Sequence, residues 1–431
     1  MRDARAPASL VRAIGRWSLV GLVINAIIGS GVFGLPDDIT RRVGKAAPFA
    51  YMLAALGIGV VMCCFGEVAS RFSEAGGPYL YARTAFGRFA GVQMGWFAWL
   101  VRVAAAAANA NLFVVYLAEF WPGATDPWPR AAVLLTLVGL LAAINIRGVK
   151  SGARVSDAFA VAKLVPIALF VGLGVFAVGP NIDIGGSNAP AGEWLQAILA
   201  LVFAFGGFEV ALMPMSEARD PRRDAPRALL IGLAIVALVY ISVHLVFMGA
   251  ITDPAALDRP EVRDRPVAEA ARVFLGGAGA ALIAVGVLLS TYGNLAMQFV
   301  GAPRLVFALA EQRDFPAAFA RVHPQWRTPY LSILVHAALC AVFAIYGSFI
   351  WNALLSAVAR LGTYGLVCAA VPVLRRRDPD GALFRLPGGW LLPLIGLGFC
   401  VVLAAQMEAA HARIAVVVAL IAAVNWFLVR R

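Results

Sequence analysis

Apolar residues in this chain neither alternate nor recur on one helical stripe. They gather in long runs, separated by short stretches that hold nearly all of the charge. A run of about 20 apolar residues is the length of helix that crosses a bilayer. Twelve such runs are predicted, near residues 17–36, 48–70, 91–120, 130–147, 157–178, 193–216, 227–251, 273–310, 329–346, 349–374, 388–407 and 411–429. Two of them are irregular. The first contains Ile27-Ile28-Gly29-Ser30-Gly31-Val32-Phe33-Gly34-Leu35-Pro36, and the sixth contains Phe203-Ala204-Phe205-Gly206-Gly207-Phe208-Glu209-Val210-Ala211-Leu212-Met213-Pro214. In both, a glycine precedes a proline by seven residues, Gly29 before Pro36 and Gly207 before Pro214. In lipid every backbone N–H and C=O needs a partner, so a break at membrane depth is tolerated only where it lines a cavity or is buried in protein.

Composition agrees with the pattern. The 431 residues are 61% hydrophobic and 14% charged, with mean hydropathy +0.82, whereas a soluble domain is about half apolar and a quarter charged. The net charge of +12 raises the question of nucleic acid, but the basic residues form no domain and lie between the apolar runs. With the N-terminus in the cytoplasm, 24 of the 36 Lys and Arg fall in the cytoplasmic segments and 9 in the outer ones. That bias predicts both termini inside and an even number of spans. The first outer loop, with Arg41, Arg42 and Lys45, runs against it, offset only by Asp37 and Asp38. The basic N-terminus lacks a small-residue cleavage site, so the first run reads as a retained helix rather than a signal peptide. The five cysteines all lie in apolar runs and make neither a metal pattern nor a disulfide framework. No Walker-type loop, nucleophile elbow or HExxH motif is present, which argues against ATP-driven transport and against an enzyme.

The two breaks lie five spans apart, an odd offset that would set the two halves in opposite orientation. Matching Gly/Pro interruptions in two halves of a hydrophobic chain point to the binding site of a secondary transporter. The amides of Gly29, Ser30 and Gly31, at a half-helix end of partial positive charge, are available to a carboxylate; close packing of helices through small residues is the alternative. The carbonyls of Ala26, Ile27, Phe203, Ala204, Gly206 and Gly207 are available to an ammonium. Bare glycines at 206 and 207 leave room that favours a medium or large amino acid over glycine.

Gly29 to Phe33 resembles the glycine-rich first-helix motif of the amino acid–polyamine–organocation (APC) superfamily. Glu67-Val68-Ala69-Ser70-Arg71-Phe72-Ser73-Glu74-Ala75-Gly76-Gly77-Pro78-Tyr79 resembles that family's signature after the second helix. Phe203 to Glu209, with Glu217 to Ala228, is similar to the sixth-helix motif and its tail, and Arg304 to Pro316 with Thr328-Pro329 to the segment after the eighth. The resemblance implies an all-α membrane protein of about twelve transmembrane helices, with a five-plus-five inverted repeat and broken helices 1 and 6. As one transmembrane domain over 1–431, repeat one would cover about 15–178, repeat two about 193–374, and two further helices about 388–429. It implies amino acid transport coupled to protons or to counter-substrate, in the inner or plasma membrane, with the lipid bilayer as surroundings, no nucleic acid, no metal and no cofactor. Phe203 would be the aromatic that closes over the substrate.

Lys163 lies in the fifth run, where an ammonium is costly and marks function by default. By resemblance it replaces a sodium ion that bridges helices 1 and 8 against helix 5 in sodium-coupled relatives of the fold. Burial disfavours the charged form, so it could shed and regain a proton during turnover, or else remain a fixed cap on the carbonyls of Gly29 or Ser30. Glu209, the acidic residue placed mid-span, reads a substrate cation, relays protons, or pairs with Arg102, Arg360 or Lys163. Asn109, Asn111, Asn294 and Gln298 are pocket residues or interhelical packing contacts. The leading expectation is a proton-coupled amino acid importer. The alternatives are a proton-independent exchanger or exporter of the same fold, and a sensor or channel built on it.

Overall fold

A computed structural model describes residues 15–72, 77–148, 153–212 and 220–429, with the side chains of 153–162, 221 and 222 left aside. Pro214, Glu217 to Arg219, Ser73 to Gly76, Lys150, the N-terminal Arg2, Arg5 and Arg12, and Arg430 and Arg431, all used in the sequence reading, lie outside the described residues. The described chain is helical throughout, without strands. The first run becomes α1 (Arg16–Ile27), α2 (Gly31–Gly34) and α3 (Pro36–Val43), followed by α4 (Ala47–Ala69) and α5 (Gly77–Phe86). Then come α6 (Arg88–Leu117), α7 (Pro127–Arg147), α8 (Ala153–Val178), the second interrupted pair α9 (Ala191–Phe205) and α10 (Phe208–Ala211), and α11 (Pro221–Ala250). The remainder is α12 (Pro260–Asp264), α13 (Pro266–Glu311), α14 (Tyr330–Tyr346), α15 (Phe349–Arg377), α16 (Leu391–Ala404) and α17 (Ala409–Val429).

Where the sequence reading counts twelve runs, nine helical segments among the described residues are long and apolar enough to cross a membrane. The helices Arg16–Ile27, Tyr330–Tyr346 and Leu391–Ala404 are apolar but shorter. The first falls short because its break comes early, and the helical chain then runs on past Pro36, predicted as its end, to Val43. It stops only at Gly44, whose φ of 57° suits glycine. Proline takes the first helical position in α3, α7, α11, α12 and α13, where its missing N–H costs nothing. In α13 the chain kinks at Gly276, φ 67°.

The centre of the molecule is α6 packed along α15 and α13; the most apolar windows of α6 and α15 are 83% buried, against 11% for α17. The long apolar side chains of α17, such as Leu420, Val424 and Phe427, face outward, as a lipid-facing helix requires. Charge is sorted to two ends. Glu67 holds Arg375 in a bidentate pair (2.6 and 2.5 Å), and the fully buried Asp314 is held by Arg88 (2.7 Å), Arg83 (3.1 Å) and Tyr79. All of these come from segments the charge pattern assigns to the cytoplasmic side. The basic residues that break the pattern are paired at the other end: Arg41 with Asp37 (2.8 Å) and Asp258 (3.1 Å), Arg42 with Asp38 (2.9 Å) and Glu193 (3.0 Å), and Lys45 with Asp183. Among the described residues no salt bridge joins a segment assigned to one face to a segment assigned to the other.

Candidate functional site

The two interruptions lie side by side. α1 stops at Ile27; Ile28 turns extended (φ −66°, ψ 106°), and helical geometry resumes at Ser30. From Gly31 the helix continues through Leu35 into α3, carried by Leu35 N–H to Gly31 O (3.1 Å) and Ile39 N–H to Leu35 O (3.0 Å). Among the described residues no acceptor is found for the N–H of Ser30 or Gly31, while the N–H of Gly29 is directed at the Tyr240 hydroxyl oxygen. The Ser30 hydroxyl, on a residue 2% exposed, also lacks a partner among the described residues. Glycine and serine here concede little helical stability, so the break is where the sequence resists it least. In the second pair Gly206 is extended and Gly207 adopts φ +107°, a conformation only glycine takes without strain.

Contact between the breaks explains two of the glycines. A Cβ on Gly31 would lie 2.8 Å from Cα of Ala204, and one on Gly207 would lie 2.4 Å from the Ala26 carbonyl oxygen. A third, Gly206, makes room for a side chain of the protein. Its Cβ would sit 2.6 Å from the Arg360 guanidinium, which also lies 5.8 Å from the Phe203 ring centre. The space at 206 and 207, read from sequence as room for a substrate side chain, is thus taken by Arg360 and by Ala26.

Glu209 is paired. Its carboxylate accepts from Arg360 Nε (3.2 Å), Tyr364 Oη (3.1 Å) and the Gly207 N–H (2.9 Å). Of the three cations named as partners, Arg360 is the one that meets it, while Arg102 adds its charge at longer range. Lys163, 3% exposed, donates to Asn25 O (2.6 Å) in the last turn of α1 and to Ile28 O (2.7 Å) just beyond it, instead of to the carbonyls of Gly29 or Ser30. The Tyr240 hydroxyl of α11 lies 3.1 Å from both Ile27 O and Ala204 O, so that its single proton is shared between the two breaks. Phe203 O faces Arg360 Nη1 at 3.5 Å and accepts from Gly206 N–H at 3.3 Å. Phe203 O thus already faces two protein donors, whereas Ile27 O and Ala204 O divide a single hydroxyl proton and keep lone pairs free.

Around this centre, Asn294 Nδ2 stands 3.0 Å from where a Gly29 Cβ would be. Asn109 and Asn111 donate to carbonyls of their own helix at Ala105 and Ala107, and Asn111 also accepts from Arg130 (2.6 Å). Tyr240, Tyr364 and Tyr116, the last donating to Phe33 O (2.9 Å), escaped the sequence reading. A tyrosine in an apolar run reads as bulk, though a buried hydroxyl needs a partner, which is the signal that was there to use. On the α3 side a cavity of about 680 Å³ opens between α3, α6, α12 and the start of α15. Its floor is Gly34 and Phe349, whose ring lies against Gly34 and stands edge-on to Phe203 at 6.0 Å.

Apolar helices with exposed apolar faces, two of them interrupted together in the interior, define a multi-pass helical membrane transporter. The chain belongs to the amino acid permease family, whose model matches residues 14–428. The resemblance to the APC superfamily is thereby borne out. Among curated relatives, the methylthioribose transporter of Bacillus subtilis (strain 168) is 28% identical over 91% of this chain and 87% of its own. The serine/threonine exchanger SteT of the same organism is 28% identical over 78% of this chain and 77% of its own. The branched-chain amino acid permease BcaP, also from that organism, is 25% identical over 92% and 88%.

Proposed function

We propose that the protein is a secondary amino acid transporter of the inner or plasma membrane that works by alternating access, with proton-coupled uptake as its mode. The reading takes twelve spans with both termini in the cytoplasm, in one domain with repeats over about 15–178 and 193–374 and two further helices over 388–429. One observation carries it: the first break, where the amides of Ser30 and Gly31 have no acceptor among the described residues, lies against the second, with Gly31 on Ala204 and Gly207 on Ala26. An α-carboxylate would sit on those amides and the Ser30 hydroxyl, at the positive end of the helical run that follows. The α-ammonium would take the remaining lone pairs of Ala26, Ile27 and Ala204, since Phe203 O already faces two donors, and the Phe203 ring would cover the ligand. The backbone thus recognises what all amino acids share, leaving the side chain to be read by neighbours such as Asn294. Proton coupling would run through Lys163: neutral, it releases the carbonyls of Asn25 and Ile28; charged, it holds them.

Proton-independent exchange is the second reading. It is favoured by the close double contact of Lys163, which suits a permanent cap, and by the likeness to an exchanger. Reconstitution into liposomes with an imposed pH gradient, screened with radiolabelled amino acids and with methylthioribose, separates the readings. Saturable uptake that needs inward protons supports symport, and uptake only into preloaded vesicles supports exchange. Failure to move any amino acid under either condition overturns the proposal.

A further inference from the structure

The Tyr116 hydroxyl joins three elements. Tyr116 stands at the end of α6 and is fully buried. Its O–H donates to Phe33 O in α2 (2.9 Å), and the N–H groups of Val267 and Ala268 are directed at its oxygen. Those N–H groups lie in the first turn of α13, where Arg265 at the cap position supplies no side-chain bond. A helix start needs an acceptor for such groups, ordinarily from a Ser, Thr, Asp or Asn at the cap itself. Here a tyrosine of another helix provides it. One proton given and two accepted use all that a hydroxyl has.

The two sides of this joint differ in strength. Toward α13 it is reinforced: Glu119, three residues beyond Tyr116, pairs with Arg272 and, at 3.8 Å, with Arg265. Toward α2 it rests on the bond to Phe33 O. α2 has four residues, set between the extended Ile28 and Pro36, and Gly31 at its start lies against Ala204 of the second break. The Phe33 and Gly34 N–H groups both bond Ser30 O (3.2 and 3.0 Å), so fixing the Phe33 peptide fixes Ser30 with it. A hydrogen bond is lost once its atoms part beyond about 3.5 Å, so a shift of α2 by about 1 Å frees Phe33 O and leaves the cap of α13 made.

We propose that Tyr116 is a positioning residue of the transport cycle. Its bond to Phe33 O holds the outer half of the first broken helix ready for a ligand arriving through the cavity on the α3 side, and closure of that side breaks the bond. The inference rests on the amino acid reading given above; Tyr116 acts through α2, not on the ligand. Without the bond a helix of four residues has little to hold it. The ligand must then supply the ordering, which shows as lost affinity. The loss is common to all amino acids, because α2 meets the part they share. It is confined to the α3 face, because the joint is made while the cavity there is open.

The test is counterflow of the radiolabelled amino acids that the liposome screen identifies, in right-side-out and inverted membrane vesicles, which present the two faces in turn. Tyr116→Phe keeps the buried ring and removes the proton. KM at the α3 face should rise about tenfold, the scale of one hydrogen bond, by the same factor for every amino acid accepted, with the maximal rate within about twofold of the parent. KM at the cytoplasmic face should not rise. Loss of the α13 cap lowers the melting temperature whichever role holds, so KM decides. 4-Aminophenylalanine at position 116, which donates again, should bring KM back towards the parent value. Where the phenylalanine variant does not fold, 4-fluorophenylalanine, which fills the oxygen's place without a proton, carries the same expectation. A lowered melting temperature with KM unmoved at the α3 face makes Tyr116 only the cap of α13 and overturns the inference. Equal rises at both faces, or a rise that 4-aminophenylalanine does not reverse, overturn it too. In each of these the parent still moves amino acids and the proposed function stands; a parent that moves none overturns both.

Discussion

Replacing Lys163 with methionine separates a coupling group from a fixed cap. The ammonium makes two short bonds, to Asn25 O and Ile28 O, at 2.6 and 2.7 Å. Removing them orphans two buried carbonyls, a cost of about 1–3 kcal/mol each, or roughly 2–6 kcal/mol in all. Methionine also abolishes the burial of a charge, a relief of several kcal/mol once relaxation is counted. The two nearly cancel, so the variant should fold, with thermal stability in detergent within about 2 kcal/mol of the parent. Transport should change far more than stability. The carbonyls of Asn25 and Ile28 would be permanently without their donor, the condition the neutral lysine visits only during turnover. In liposomes the parent should show uptake that rises as the outside is acidified, and Lys163→Met should retain amino acid binding but lose that pH dependence. A variant with the parent's full pH dependence refutes coupling through Lys163. A parent with none favours Lys163 as the permanent cap, and uptake only into preloaded vesicles then identifies exchange.

Glu209→Gln leaves Arg360 without its counter-ion inside the protein, which should cost about 3–5 kcal/mol. The double variant Glu209→Gln/Arg360→Met should recover part of that in thermal unfolding, and additive losses would show that the pair is not coupled. At the other end Asp314, fully buried beneath Arg83, Arg88 and Tyr79, ties α5 and α6 to the end of α13. Asp314→Ala should cost a similar 3–5 kcal/mol and raise protease sensitivity on that face, and an unaltered digestion pattern would contradict the assignment. Burial, and after it the Asp314 carboxylate, hold the Tyr79 phenol well above its ordinary value of 10.0. A raised value means that its contribution to stability is complete below pH 10 and lost only above it. Tyr79→Phe should therefore lower the melting temperature by the same amount at pH 6 and pH 8; a pH-dependent difference in that window would contradict the assignment.

What the sequence disclosed and what it hid divide along a physical line. The breaks were legible because a glycine or a proline inside an apolar run violates the rule that lipid imposes on the backbone, and the violation is local. Lys163, Glu209, Arg102 and Arg360 were legible for the same reason, since a charge in such a run is an anomaly whatever surrounds it. Their partners were not. That Glu209 meets Arg360 rather than Lys163, and that Arg41 reaches Asp258 and Arg42 reaches Glu193, depends on how distant helices pack, and no spacing within a run encodes it. The basic first outer loop was only partly explained for this reason: beside the neighbouring Asp37 and Asp38, its neutralising acids Asp183, Glu193 and Asp258 lie far along the chain.

The harder errors concern space. Glycine at 206 signalled an absence of side chain but not what fills the absence, and a guanidinium from α15 fills it. This changes what the site can select. If Arg360 and Ala26 occupy the hollow behind the second break, ligand side chains are not accommodated there and must extend toward the other wall, along Asn294 and α13. The common backbone of the ligand and its variable part would then be read on opposite sides. Substitutions at Asn294 should accordingly alter which substrates are accepted, while those at Gly206, such as Gly206→Ala, should displace Arg360 and weaken all substrates alike. Uptake competition across a panel of amino acids checks both. A panel reordered by Gly206→Ala, with Asn294→Ala leaving the order intact, would place the selective wall on the second break after all.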